Sequence, residues 1–373
     1  MAYDAFAHSP DDEPRIRDLG VDPGVMSPGA LNAITDVDGV QVGHQTIIEG
    51  DDIRTGVTAV VPHGGNVFQE RVPAAVYVGN GFGKPAGFAQ VQELGTLETP
   101  ITLTNTLNVG TAVEATAAWT LDQPGNQDVR SVNAVVGETN DGFLNDIRGQ
   151  HVSSDDVVAA IENADTGPVA EGNVGAGTGT SLFGWKGGIG TSSRELPEEL
   201  GGYTIGVLVQ ANYGGVLQVD GVRVGEALGQ YSFRDQLEDN PSTSDPETDE
   251  GSIMVIVATD APLSPRNLER MAKRGIMGVG RTGSFMTNGS GDFVISFSTE
   301  HKESADDEDV RTVEELMNRA TSPLFLGAVE ATEEAIYNAL TTATTLEGRD
   351  GNVRTALPLD RLRELLEDAG RVE

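Results

Sequence analysis

Ser252 stands where two segments of opposite character meet. Upstream, Asp235-Gln-Leu-Glu-Asp-Asn-Pro-Ser-Thr-Ser-Asp-Pro-Glu-Thr-Asp-Glu-Gly251 is polar and acidic throughout. Downstream, Ile253-Met-Val-Ile-Val-Ala-Thr259 has the β-branched, apolar content of a fully buried strand. So few apolar side chains cannot offset the entropy of ordering the upstream stretch, which predicts a flexible, exposed linker over 235–250. If the Gly251–Ser252 bond were cut, Ser252 would open a buried strand with both a hydroxyl and a free α-amine. That is the arrangement of an N-terminal nucleophile, in which the amine can act as base for its own side chain. A long surface loop joining two strands is the other reading of the same residues. Ser290 and Asp292 lie two apart, so an extended backbone would put both on one face. A Gly-Ser-Gly-Asp turn opening a strand accounts for them equally.

Other arrangements with chemical potential are incomplete. The five histidines, at 8, 44, 63, 151 and 301, include no pair at ligand spacing, and the HExxH pattern of zinc peptidases is absent. His44 and His63 remain candidate bases, although isolated histidines in Gly-rich loops more often serve the loop itself. No serine sits in a GxSxG elbow. With no cysteine in the chain, thiol nucleophiles, disulfides and Cys-ligated metals are excluded. Gly79-Asn-Gly-Phe-Gly-Lys84 ends in Pro85, not in the Ser or Thr of a phosphate loop. Gly175-Ala-Gly-Thr-Gly179 follows no convincing strand, and Gly278-Val-Gly-Arg-Thr-Gly283 matches GxGxxG after a helix, where a dinucleotide loop needs a strand.

Short β-rich runs punctuated by glycine must position these residues. Strands are expected over Val57–Pro62, Ala74–Val78, Ser131–Val136, Tyr203–Gln210 and Asp292–Ser298, after a polar lead-in at 1–25. Helices are expected over Asn108–Leu121, Ser154–Ala164, Arg266–Arg274, Val310–Ala320 and Ser322–Thr345. Ser153-Ser154-Asp155-Asp156 gives the second of these a capping start, and Pro265 introduces the third. Strand blocks interrupted by helix pairs predict layered α/β packing, with helices covering stacked sheets.

The chain carries 58 acidic and 24 basic residues, for a net charge of -34. Lysine occurs only at 84, 186, 273 and 302, and the other 20 of the 24 basic residues are arginine. Nothing here could neutralise a run of phosphates, so nucleic acid and anionic membrane surfaces are poor partners. Self-repulsion at this charge is relieved by salt, which suits a salt-accumulating cytoplasm. The first twenty residues lack a basic start followed by an apolar core, and no apolar run approaches the roughly 18 residues that span a bilayer. A soluble, cytoplasmic, halophilic protein is expected.

Nine segments, in order, resemble the L-aminopeptidase/D-esterase family of self-processing serine aminopeptidases, which includes β-peptidyl aminopeptidases. They are Ser27–His44, Gly79–Lys84, Glu93–Thr106, Glu138–Gly142, Gly172–Gly179, Val209–Gly214, Gly251–Pro262, Gly289–Phe293 and Gly348–Gly351. The resemblance implies a four-layer α-β-β-α sandwich of the type shared with ornithine acetyltransferases. It implies cleavage at Gly251–Ser252 into an α chain, 1–251, and a β chain, 252–373, of one catalytic domain. Hydrolysis of N-terminal residues from short peptides, amides or esters would follow, without metal or cofactor, by homo-oligomers (tetramers) of the processed heterodimer. On the same ground Ser252 is the nucleophile. Ser290 and Asp292 relay and stabilise charge, although relatives often have Glu at the position of Asp292. The Asn212 amide would serve the oxyanion. An aminopeptidase must stabilise an ammonium, which Glu138 or Asp141 could bind beside Asn140, where some relatives carry an aromatic residue; a turn built from Asn140-Asp141-Gly142 is the other reading. An acyltransferase of the ornithine acetyltransferase type, or an uncleaved non-catalytic relative, are the competing implications.

Overall fold

Every residue from Ser252 to Thr259 is buried, a condition met only by a strand with neighbours on both edges and cover on both faces. The computed structural model describes residues 13–238, 250–304 and 309–372. Its principal elements in chain order are β1 (Gln41–Glu49), β2 (Ile53–Val61), β3 (Glu70–Gly81), β4 (Ile101–Asn105), α1 (Val109–Leu121) and β5 (Val135–Thr139). They continue with α2 (Ser154–Glu162), β6 (Gly188–Glu195), β7 (Thr204–Asn212), β8 (Glu250–Thr259), α3 (Pro265–Arg281), β9 (Gly289–Ser298) and α4 (Ser322–Thr341).

One sheet has the order β1-β2-β4-β5 and the other β3-β9-β8-β7-β6, the latter extended beyond β3 by Glu303–Ser304. Among the described residues only β4–β5 and β8–β9 run parallel, and each pair is joined by a helical crossover, α1 and α3 respectively. Along β8 the pleat sends alternate side chains to opposite sides. Met254, Ile256 and Ala258 meet Val60, Ile101, Leu103 and Val135 of the first sheet, whereas Ile253, Val255 and Val257 meet Met271, Val279, Leu324 and Ala335 of α3 and α4. On the far side α1 and α2 cover the first sheet through Ala112, Ala115, Val157 and Ile161. The layers are therefore α-β-β-α, as expected.

Most expected elements occur, with instructive differences at their ends. The capping start of α2 forms: Asp156 N–H donates to Ser153 Oγ at 3.3 Å, and Ser153 N–H to Asp156 Oδ2 at 2.9 Å. The third helix runs on to Arg281, straight through the first part of the GxGxxG match. Gly278 serves packing there, because a Cβ would stand 2.7 Å from both Thr332 Cβ and Val329 O of α4. Val310–Ala320 is not a helix; a single 3₁₀ turn, Asn318–Ala320, is all that forms. Val310, Val313 and Met317 are exposed, so no apolar stripe rewards helix formation. The backbone instead bonds elsewhere, Leu316 N–H to Pro262 O and Glu314 O to the His301 ring. Ser131–Ala134 stays irregular because the Glu98 carboxylate takes the N–H of Asn133 at 2.7 Å. The expected linker over 235–250 is bounded by a helical turn, Arg234–Leu237, and by Glu250 at the head of β8. Its residues 239–249, like residues 1–12 of the expected lead-in, lie outside the described residues.

Candidate active site

Pairing of three strands gathers residues that are far apart in sequence. Ser252 on β8 stands opposite Asn212, the last residue of antiparallel β7. On the other edge of β8, Gly251 is in register with Ser290 and Ser252 with Gly291 of parallel β9. Neighbouring strands lie about 4.8 Å apart, so this register brings all three residues to one peptide bond, with Ser252 and Asn212 on one face of the sheet and Ser290 on the face of Gly251. That bond is itself inside a paired strand: Glu250 and Gly251 are already in register with Gly289 and Ser290.

Ser290 and Asp292 share a face, as their spacing predicts, and Ser290 Oγ donates to Asp292 Oδ1 at 2.9 Å. The shorter arm of Asp therefore still reaches the serine. Asp292 is wholly buried. Burial pushes its carboxyl up from 3.8 to about 6, against a smaller opposite pull from the Ser290 hydroxyl. Neither Ser252 Oγ nor Asp292 Oδ2 has a hydrogen-bond partner among the described residues, although both are buried. Two buried polar atoms so placed are ready to take part in a reaction that supplies their partners. Gly251 makes the approach possible. A Cβ there would stand 3.0 Å from Tyr213 Cβ and 3.3 Å from Ser290 Oγ.

Asn212 Oδ1 accepts from the backbone N–H of Ser181 at 2.9 Å, which turns the amide and leaves Nδ2 as its donor end. The adjoining Tyr213 is buried, its ring edge-on to Phe183 at 5.1 Å and its hydroxyl 3.0 Å from Thr282 Oγ1. Desolvation raises the Tyr213 phenol far above its ordinary value, so it stays neutral and packs the wall behind Gly251.

The acidic candidates separate. Glu138, at the end of β5, is buried; its Oε1 accepts from Lys84 N–H at 2.9 Å and its Oε2 from the Thr106 hydroxyl. A carboxylate with one bond on each oxygen still has lone pairs for a cation. Asn140 is exposed and uses its Oδ1 on Gly142 N–H at 2.9 Å. Asp141 turns inward, where Asn145 Nδ2 donates to its Oδ1 at 3.0 Å and burial pushes its carboxyl up to about 7. The charge of Lys186 acts on Asp141: it is a fully buried lysine, lowered to about 7 by desolvation, whose Nζ donates to Gly177 O at 3.0 Å. His44 pairs with Thr58 Oγ1 at 2.9 Å and is pushed down to about 4 by burial, and His63 bonds Glu70 O at 2.8 Å. Each histidine serves its own neighbourhood. Tyr213 and Lys186 were not among the sequence candidates, although Lys186 is one of only four lysines and so carried a signal.

Comparison with known proteins completes the description. The model of peptidase family S58 matches residues 32–354. A β-peptidyl aminopeptidase of Sphingosinicella microcystinivorans is 42% identical across 96% of this chain and 93% of its own. Among solved structures, a β-aminopeptidase of a Burkholderia species superposes with a TM-score of 0.86 at 42% identity, covering 96% of this chain and 99% of that one. The L-aminopeptidase D-Ala-esterase/amidase of Ochrobactrum anthropi, described as a prototype of the serine aminopeptidases with a variant of the N-terminal nucleophile hydrolase fold, gives 0.87 at 39% identity over 97% and 100%.

Proposed function

The chain belongs to peptidase family S58 and is a serine-type aminopeptidase, and on that premise we propose that Ser252 is its nucleophile, first on its own backbone and then on substrate. The register that puts Ser252 between Asn212 and the Ser290–Asp292 pair carries this reading. In the first reaction Ser252 Oγ attacks the Gly251 carbonyl carbon. Ser290 takes the Oγ proton while passing its own to Asp292, and the oxyanion forms toward Asn212 Nδ2. Collapse expels the Ser252 nitrogen, which receives the proton back from Asp292 through Ser290, and leaves an ester between Gly251 and Ser252 Oγ. Water then hydrolyses the ester to a Gly251 carboxylate and a free Ser252 amine. Before cleavage that nitrogen is an amide and cannot serve as a base, so processing must rely on the Ser290–Asp292 pair. The products are an α chain, 1–251, and a β chain, 252–373, held together by the β7–β8 pairing and the shared core.

Hydrolysis repeats the chemistry on an N-terminal residue of a short peptide, amide or ester. Glu138 binds the ammonium, and the acyl group passes to Ser252 Oγ before water releases it. Asp141 and Asn140 then position the strand end that bears Glu138 and do not contact substrate. High salt supports the fold against a net charge of -34, and processed units assemble as homotetramers in the cytoplasm. No helix of the described residues is long and apolar enough to cross a membrane. Intact mass spectrometry after expression in high salt should find two fragments, and Ser252→Ala should give one uncut, inactive chain. A Ser252→Ala chain that still splits and still hydrolyses aminoacyl p-nitroanilides would overturn the proposal.

A further inference from the structure

Residues 82–84 form a strap whose two ends are tied to the two halves of the site. Phe82 N–H donates to Ser290 O at 3.2 Å, and Lys84 N–H donates to Glu138 Oε1 at 2.9 Å. The chain bends at Gly83, whose N–H donates to Gly81 O at 3.0 Å, so the strap is a tight turn between its two anchors. Gly83, between them, lets the strap press inward: a Cβ there would stand 2.6 Å from the Phe293 ring and 3.1 Å from Glu138 Oε1. With its backbone fixed in this way, the strap turns the Phe82 ring outward, where it is 57% exposed. The Lys84 ammonium lies 5.1 Å from the centre of that ring, within cation–π range. More than half exposed and approached by the Lys84 ammonium, the ring presents apolar surface at the edge of the site.

We propose that Phe82 and Lys84 are the specificity wall for the residue being released: the ring takes its apolar side chain, and the ammonium turns away basic ones. The proposal rests on the reading that Ser252 attacks the carbonyl while Glu138 holds the ammonium. A substrate stretched between those two groups must lie along the strap, and its side chain then meets the Phe82 face. Lys84 has two parts in this. Its backbone N–H steadies Glu138, and its side chain holds a positive charge above the ring, where a substrate Lys or Arg side chain would be repelled and an acidic one attracted.

The test is kcat/KM for Gly, Ala, Leu, Glu and Lys p-nitroanilides with the processed wild-type, Phe82→Ala and Lys84→Gln enzymes. Phe82→Ala should lower the Leu-to-Gly ratio about tenfold, in the range typical of lost apolar contact in a substrate pocket. Lys84→Gln should raise the Lys-to-Leu ratio severalfold and lower the Glu-to-Leu ratio. Appearance of the two processing fragments reports that each variant has folded, since Gly251 has no side chain for the wall to read. Phe82→Leu, which keeps apolar volume without the ring, should give an intermediate ratio and is the variant scored if Phe82→Ala is not processed. A fall of equal size for all five substrates means a merely structural strap and overturns the inference. That outcome differs from failure of the underlying site, which would appear as hydrolysis by Ser252→Ala.

Discussion

Asp292 should weaken the fold at the pH where it works. Its carboxyl is wholly buried, and desolvation raises it from 3.8 to about 6. At about 1.36 kcal/mol per pH unit, ionised Asp292 costs the folded chain about 3 kcal/mol. The sign follows from linkage: a folded-state value above the unfolded one stabilises fully below 3.8, and that stability is lost as pH rises through about 6. Asp292→Asn cannot ionise. Its amide leaves a donor where Oδ2 finds no hydrogen-bond partner, a cost of about 1–3 kcal/mol, but that cost does not change with pH. The advantage of Asn over Asp should therefore grow by about 1.5 kcal/mol between roughly pH 5 and pH 8, as the last of the carboxyl ionises. Urea titrations in molar salt, comparing Ser252→Ala with Ser252→Ala/Asp292→Asn so that both chains are uncut, measure this difference. In a chain that retains Ser252, the same change should slow processing, because Ser290 loses its proton acceptor. Stability and processing then move in opposite directions. Unfolding free energies of the two uncut chains that stay parallel across this range would refute the reasoning.

Asn212→Ala should slow both processing and hydrolysis about 10²- to 10³-fold, mostly in kcat, because the Ser181 N–H leaves the amide's Nδ2 as the oxyanion donor; stopped-time mass spectra and p-nitroanilide turnover report the two separately. Glu138→Gln should lower kcat/KM for free-amine substrates by about 10- to 100-fold while sparing an ester that lacks the amine, since only the charge that pairs with the ammonium is lost. For the processed enzyme, kcat/KM should rise through about pH 6 as Asp292 ionises. A rise centred at about 7.7–8.0 instead would move the role of base to the Ser252 amine.

Legibility in the sequence followed physical cause. The run Ile253–Thr259 could be read as a strand because every residue in it is apolar or β-branched and covered on both faces. Ser290 and Asp292 could be placed on one face because a strand has period two, and the bond between them realises it. Asn212 and Ser252 share no local pattern. Their meeting depends on the antiparallel register of β7 with β8, a property of the whole sheet. Glu138 and Asp141 looked interchangeable in sequence, yet the chain turns after Thr139 and sends one carboxylate toward Lys84 N–H and the other toward Asn145. Val310–Ala320 misled because its composition suits a helix, while Val310, Val313 and Met317 stay exposed and only Leu316 packs on the core. Gly278, in the rejected GxGxxG match, has a packing purpose instead, close contact between two helices.

The bond proposed for cleavage was expected at the end of a slack linker, and it lies one residue inside a paired strand. This placement changes what Gly251 is for. The pairing of Gly251 with Ser290 and of Ser252 with Asn212 holds the bond in the sheet, and the sheet leaves no room for a side chain at 251. A methyl at 251 would sit 3.0 Å from Tyr213 Cβ and 3.3 Å from Ser290 Oγ, so one of them must yield by a few tenths of an ångström. Tyr213 is held by Phe183 and Thr282, which makes Ser290 the side that gives. Moving Ser290 Oγ disturbs its 2.9 Å bond to Asp292, and displacements of this kind cost about tenfold in rate. Gly251→Ala should therefore process about tenfold more slowly, as followed by the ratio of uncut to cut chain over time. Once cut, residue 251 is a chain end free to leave the strand, so turnover per mole of processed chain is the discriminating quantity. A loss there as large as the loss in processing would show that residue 251 stays in place and shapes the mature site, against the role assigned to it here.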